Sequence, residues 1–427
     1  MGLTKTLTRQ WIKTAETLDH TQLQEANLEL WSAQNKVDRF IEALQNVDDF
    51  AEPLLTDALK KQYGVDVDVR TTCLHLYLPK ERPWYAIDIS RGVVTRTVSL
   101  LNAALHNFAR TETCEADSDF ISTPDERGLF DVLPVKRKMS VAQFQTLCRE
   151  LDIGARYARY LKDRLLPADA VEKRFLQLNI IESEKAAFKA AVQHALMTGD
   201  IDADASDLIL KMLDGQRNLT RKGRVMSFAE LSVLDSRLAG IVLITPDLER
   251  TRGDVPIFAY VPQDPDHPLK EYSSTVAFMN ELTRQLRDNK VISSARMTYR
   301  QYFSRFVDQS ERGHFFGGLQ QRLFEVKWHQ KDPLDPGPSW REVPVNPPNL
   351  RFSATPIRGE LWQYRFEQKL NKILNDARHI AVPTADTDRD ARWAWWENFK
   401  KIVSDIFNVA LMVITPFVPG LGELMMA

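Results

Sequence analysis

Two short runs constrain the fold of this chain more than anything else in it. Leu238–Ile244 (LAGIVLI) and Val255–Val261 (VPIFAYV) carry no charged side chain and are rich in β-branched residues. Seven apolar residues bounded by polar turns read as a buried strand. The charged stretch Glu249–Asp254 between them reads as the hairpin that joins the two. A fold that holds these strands must also supply the apolar layers that cover them.

Those layers are visible as helical periodicity. In Gln22–Tyr63, Leu30, Ala33, Val37, Ile41 and Leu44 approximate the spacing of one helix face. Pro53 is expected to start a second helix, since proline clashes with a preceding turn, and Gly64 to cap it. Ser140–Gln143 fits a capping box, after which Phe144, Leu147, Cys148 and Leu151 fall on one face. A break at Gly154, a long helix over Pro167–Thr198, a turn at Gly199–Asp200 and a helix over Ala203–Leu213 follow. Ser227–Glu230 is a second capping-box candidate, and Ser273–Asp288 and Leu361–Ile380 read as further helices.

Elsewhere the period is two. Val65, Val67 and Val69 alternate with charged residues, and Leu74, Leu76 and Leu78 with His75 and Tyr77, which predicts one or two half-buried strands. Trp84–Ile89 and Leu323–Gln330 read as strands, Val98–Phe108 as a helix and Thr111–Arg127 as a polar loop. Pro333–Pro356 holds 7 of the 21 prolines and is expected to be an extended connector.

At roughly 150 residues per domain, 427 residues make about three domains' worth of chain. The reading divides them into a helical segment 1–64, a small α+β segment 65–135, a helical block with strands 136–332, the connector 333–356 and C-terminal helices 357–427. The fold class is α+β and predominantly helical. A helical bundle accompanies a small mixed or antiparallel sheet and a hydrophobic C-terminal helix. The sheet is expected to join strands near Val65–Ile89 with those near Leu238–Val261, the helices of Ser140–Leu213 forming an insertion or a lateral subdomain.

Composition bounds the function. The charge is -2, from 56 Lys+Arg and 58 Asp+Glu, which offers no basic excess for nucleic acid. Three cysteines, Cys73, Cys114 and Cys148, do not make a disulfide framework and suit a reducing compartment. Met1–Trp11 lacks the apolar core of a signal peptide, so the chain is expected to be made in the cytoplasm, with export left to a dedicated machine. The eight histidines form no HExxH pair, so neither a metal nor a cofactor is expected. No P-loop, GxGxxG or GxSxG pattern is present. Cys148 reads as a buried structural thiol, and acids beside Cys114 blunt that thiol. Asp48–Asp49 read as helix-start residues. Lys136–Lys138 and Arg217, Arg221, Lys222 and Arg224 would suit phosphate or anionic headgroups, against the simpler reading of solvated loops.

The C-terminus is distinctive. Ile406–Gly422 holds 17 consecutive uncharged residues, interrupted by Pro416 and Pro419. That is slightly short of the ~20 needed to span a bilayer. Three readings stay open: a core helix, half of a membrane-inserting hairpin whose partner lies further along a longer chain, or a self-contained anchor. Trp393, Trp395, Trp396 and Phe399 precede it and fit an interfacial belt or a helix contact. Trp395, Trp396, Phe407, Leu411, Phe417 and Leu421 are the candidate membrane or partner contacts.

The stretch Ile257–Tyr272, with Pro262, Pro268 and Tyr272, followed by an apolar-spaced helix and Tyr302–Phe306, resembles a known pattern. Leu133–Pro134, Gly240–Leu243 and Pro416–Gly422 add to it. Together they resemble the N-terminal domain of dermonecrotic-toxin-like proteins, large multidomain bacterial toxins or effectors. The resemblance spans about residues 130–427 and brings no catalytic signature. It implies a leader module serving target binding or delivery, with a toxic domain further along a longer parent chain and a membrane or cell surface as partner. Two other readings compete: an enzyme with a loop site near Asp264–Tyr272 or His314, and a membrane-associated interaction protein acting through residues 406–422.

Overall fold

The computed structural model describes residues 21–64, 66–78, 87–88, 93–105, 120–124, 130–131, 141–246, 255–262, 264, 267–292, 297–328, 340–345 and 350–379. In chain order the first elements are α1 (Thr21–Glu42), α2 (Val47–Tyr63), β1 (Cys73–Leu78), β2 (Ile87–Asp88), β3 (Val93–Ser99), α3 (Leu100–Leu105), β4 (Phe120–Pro124) and β5 (Phe130–Asp131). Then come α4 (Val141–Leu151), α5 (Ile153–Leu165), α6 (Ala170–Thr198), α7 (Ala203–Leu213), β6 (Thr220–Arg221), β7 (Arg224–Val233), β8 (Ser236–Pro246), β9 (Ile257–Tyr260) and β10 (Leu269–Tyr272). The last are α8 (Thr275–Asp288), β11 (Val291–Ile292), β12 (Met297–Thr298), α9 (Tyr299–Ser304), α10 (Arg312–Leu323), β13 (Phe324–Trp328), β14 (Trp340–Pro344), β15 (Phe352–Pro356) and α11 (Leu361–Arg378). The protein is α+β and mostly helical, with antiparallel sheets.

The chain forms two units, both built from separate stretches. Among the described residues, one contains α1 and Pro167–Ile373, the other Leu44–Leu166 and the end of α11 from Leu374. The two runs singled out in the sequence are the centre of the first unit. Its main sheet has the order β10-β9-β8-β7-β15, with β6 paired to β7. Successive side chains of a strand point to opposite faces, and here both faces are covered. Val242, Ile244, Phe258 and Tyr260 pack with α1, α6 and α7 residues such as Leu30, Phe188 and Ile209. Ile241, Leu243, Ile257 and Ala259 pack with Phe278, Leu282, Phe303 and Phe315 of α8, α9 and α10. An antiparallel sheet sandwiched between helix layers needs apolar residues at consecutive positions, which accounts for LAGIVLI and VPIFAYV.

β7 and β8 join through Leu234 and Asp235, both at positive φ (52° and 65°), flanked by the pair Val233–Ser236. Two such residues make the turn whose twist suits a hairpin. β8 then departs from the ladder. Its register with β7 shifts between Glu230 and Ser232, and Gly240 takes φ +102°, a conformation that favours glycine.

In the second unit, a sheet of order β2-β3-β1-β4-β5 accompanies α2, α3, α4 and α5. Phe144, Leu147, Cys148 and Leu151 are buried as the spacing predicts, as are Leu55, Leu59, Tyr157 and Leu161. The Tyr157 hydroxyl donates to the Gln45 carbonyl at 2.9 Å, and the Gln45 amide donates to the Tyr160 hydroxyl at 2.9 Å.

Several local expectations are corrected. Pro53 lies inside α2; the helix starts at Val47, where the Asn46 side chain accepts from the Asp49 amide. Gly64 caps it at φ +64°, as expected. Residues 66–69 form no strand, because the Asp68 side chain accepts the Arg70 amide and its carbonyl the Thr72 amide, a local turn that competes with extension. Val65 is outside the described residues. Phe120–Pro124, expected within a loop, is β4 and pairs with β1. The break before α5 is Asp152 at φ 42°, and Gly154 lies inside the helix. Ser227–Glu230 belongs to β7, where ladders on both sides override the capping pattern. The proline-rich stretch contains β14 and β15, with Pro344 and Pro356 at strand ends where a missing amide is tolerated. Strands near residues 73–88 and 238–261 lie in separate sheets. The helices of 141–213 divide between the two units rather than forming one block.

Candidate functional site

The stretch proposed from sequence, Asp264–Tyr272, holds the turn after β9 and the whole of β10; within it Asp264 and residues 267–272 are described. It is a built turn. The Val261 amide donates to the Pro268 carbonyl (2.9 Å), and the Tyr302 hydroxyl donates to the Pro262 carbonyl (2.6 Å). Buried Asp264 accepts the His267 amide at 2.9 Å.

From this turn His267 reaches the end of α6. Its Nδ1 lies 3.0 Å from Asp200 Oδ2, which also accepts the Thr198 hydroxyl at 2.7 Å. The Asp200 amide closes α6 on the Ala195 carbonyl, and its carbonyl accepts the Glu271 amide of β10 at 3.1 Å. One residue thus ends a helix, holds an imidazole and pairs with a strand edge. Burial pushes the Asp200 carboxyl up, but the bonds from His267 and Thr198 outweigh this, and it sits below its ordinary value. The Asp200 bond raises His267. His194, six residues back on α6, is fully buried, and desolvation lowers it to about 4, against the pull of Asp200 and with the push of His267.

Three further ion pairs flank the clamp. Arg221 bridges Asp202 (2.6 Å) and Glu271 (3.0 Å) and is raised by those bonds, Asp202 first. Lys270 lies 3.3 Å from Glu281 and over the Tyr272 ring. Arg221 is therefore committed to protein carboxylates, whereas Arg217, Lys222 and Arg224 are exposed. The other basic run, Lys136–Lys138, lies outside the described residues.

A second polar centre was not legible in the sequence. Glu184 of α6 accepts two bonds from Arg365 of α11 (2.7 and 3.0 Å) and one from Lys369. All three residues are buried. Arg365 also donates to the Gly240 carbonyl at 3.0 Å, while the Gly240 amide donates to Gln368 Oε1 at 3.0 Å. The positive φ of Gly240 thus hands both its backbone groups to α11. Burial pushes the Glu184 carboxyl up, but Lys369 and Arg365 outweigh it and hold the group ionised. Burial lowers Lys369 despite Glu184. Arg365 also stands over the Tyr260 ring, which stacks on Phe188 at 3.9 Å between centroids. Ile180–Phe188 reads IIESEKAAF, so Glu184 stands between Glu182 and Lys185 like any solvated helix residue.

His314, the other proposed site, is exposed on α10, with Phe315 and Phe316 buried behind it. Cys148 is buried and in no disulfide, as expected. On the first turns of α6, Val171, Phe175 and Leu178 are exposed along one face (78%, 69% and 48%). Beside them an open groove is lined by Lys173, Arg174, Gln177, Ile181, Glu360 and Gln363. Among the described residues no group of three His, Cys, Asp or Glu side chains is placed to hold a metal ion, and no helix is long and apolar enough to cross a membrane. Trp395, Trp396, Phe407, Leu411, Phe417 and Leu421, with the hydrophobic C-terminal helix, lie outside the described residues.

A search of curated proteins finds no match to the chain. The family model described as "Dermonecrotic toxin, N-terminal domain" matches residues 41–310. That stretch contains most of both clamp elements, the buried Glu184 and the sandwiched strands β7–β9. Since it covers more than half of the sequence, the chain belongs to the dermonecrotic toxin N-terminal domain family.

Proposed function

We propose that this chain is a non-catalytic leader module of a bacterial toxin or effector, binding a target or delivering a toxic domain carried elsewhere in a longer chain. Family membership over residues 41–310 carries the reading. The polar loop that an enzyme would use supports it. His267, Arg221 and Lys270 are each bonded to a protein carboxylate, and Asp264 to a backbone amide. Side chains engaged in this way hold a turn in place. Export without a signal peptide and contact with a membrane or cell surface belong to the same proposal, with the run 406–422 as the candidate membrane segment.

The test joins a reporter enzyme to the C-terminus and measures reporter bound to, and inside, candidate target cells. The reading expects cell association that the reporter alone lacks; association equal to the reporter's own overturns it. Flotation with anionic and neutral liposomes then addresses the route. If the full chain floats and a version ending at Asp405 does not, delivery runs through the C-terminal run. If neither floats, the binding partner is a protein.

A further inference from the structure

The outermost strand of the main sheet is tied to the end of α6 through a side chain that titrates near neutral pH. β10 spans four residues and has one ladder partner, β9. Asp200 adds two further ties. Its carbonyl accepts the Glu271 amide in mid-strand at 3.1 Å. Its carboxylate holds His267 Nδ1 at 3.0 Å, two residues before the strand begins. Between these points the Pro268 carbonyl accepts the Val261 amide at 2.9 Å and fixes the turn to the end of β9. Asp200 is itself anchored, its amide on the Ala195 carbonyl (2.9 Å) and its carboxylate under the Thr198 hydroxyl (2.7 Å). The partner free to move is therefore the turn, and a shift of His267 away from α6 pulls on the first residues of β10.

Titratable and charged groups surround the ring from every element packed here. α6 and its end bring His194 and Asp200, the turn brings Asp264, and β10 brings Lys270, Glu271 and Tyr272. Arg221 comes from β6, Asp202 from the start of α7 and Glu281 from α8. Arg221 is taken by Asp202 and Glu271, and Lys270 by Glu281, while Asp200 meets the imidazole. A protonated ring faces Asp200 as a cation. A neutral ring offers an N–H there in one tautomer only, and without the charge. The Asp200 bond raises His267 above 6.5, helped by Asp264 and opposed by burial and Lys270. A raised group contributes stability that is complete below 6.5 and is lost as pH rises through the folded value. In that range Asp200, which is lowered, stays ionised, and His194, lowered to about 4, stays neutral. The proton released on opening is then that of His267.

We propose that this pair is a proton-dependent clamp on the sheet edge: with the His267 ring protonated the β9–β10 turn and β10 are held to the end of α6, and loss of that proton lets the turn swing out and the β10 ladder fray. The device belongs to the fold and stands or falls independently of the leader reading. Hydrogen exchange on the full chain tests it at the amides of Lys270, Glu271 and Tyr272, corrected for intrinsic rates. Their opening constant is expected to rise with pH above 6.5, by at most about tenfold per unit, and to level off once the folded ring has lost its proton. His267→Gln should show no such rise over the same range. A flat wild-type profile, the same rise in the variant, or an equal rise at the β8 amides, which would mean global unfolding, overturns the proposal. Should the variant fail to fold, ring titration of the wild-type protein by NMR decides. A His267 midpoint above 6.5 supports the clamp, and one at or below 6.5 overturns it.

Discussion

Gly154 shows how little room the helical part of the second unit leaves. A Cβ built there would lie 2.5 Å from the Arg378 carbonyl oxygen and 3.1 Å from that of Ala377. Both are backbone atoms, which cannot swing aside as a side chain can. Gly154→Ala is therefore expected to destabilise the protein by about 1–3 kcal/mol through overpacking, read as a lower urea midpoint. Phe175 is the opposite case, a large apolar side chain 69% exposed on α6. Phe175→Ser should change stability by no more than ~0.5 kcal/mol, read in the same titration. A loss of several kcal/mol would mean that something covers this face. The sequence distinguished neither position, because a glycine needed for close approach and one that merely ends a turn look alike without the facing backbone.

At the scale of elements, α2 separates two signals that the sequence mixed. The Asn46 cap and the Asp48–Asp49 pair in the first turn start the helix, and Asn46→Ala should cost about 1 kcal/mol. Pro53 sits exposed in the second turn, where it withholds an amide from the Asp49 carbonyl, so Pro53→Ala is expected to raise Tm. α11 raises a larger question. Glu184 faces two buried cations, and removing it alone strands both, so Glu184→Gln is expected to cost about 3–5 kcal/mol. Replacing Glu184, Arg365 and Lys369 together by Leu, Met and Leu should recover most of that loss. Glu184 is lowered in the folded state, so its contribution is present above 4.5 and is lost as pH falls through the folded value. The helix α7, with a clean period, and the strands β8 and β9, read from unbroken apolar runs, were legible. The strands β4, β14 and β15 were not, since ladder partners far along the chain, Cys73–His75, Phe324–Trp328 and Ala229–Val233, make them strands. The clamp was half legible. Its loop stood out, but Asp200 reads as an ordinary turn residue until His267 is brought beside it.

At the scale of the whole molecule, the units do not follow the chain. The first is interrupted between Ala43 and Pro167, and the second is joined again only at the end of α11, from Leu374. A chain ending at Ile373 loses the Ala377–Arg378 backbone that abuts Gly154. Its α5 amides should exchange faster while those of β8 stay protected, as measured by hydrogen exchange. Equal protection of α5 in both chains would show that the last turn of α11 is dispensable. The interleaving also bears on synthesis. A ribosome extends a chain by about 5–20 residues per second, so α1 waits for α6 while some 125 residues emerge between them. The first unit lacks α11 until Ile373 is made, and the second lacks its closing turn for a few residues longer. Neither unit therefore has all of its described elements until α11 has been made. Until then the nascent polypeptide stays open enough to be held by a chaperone or threaded into a narrow conduit.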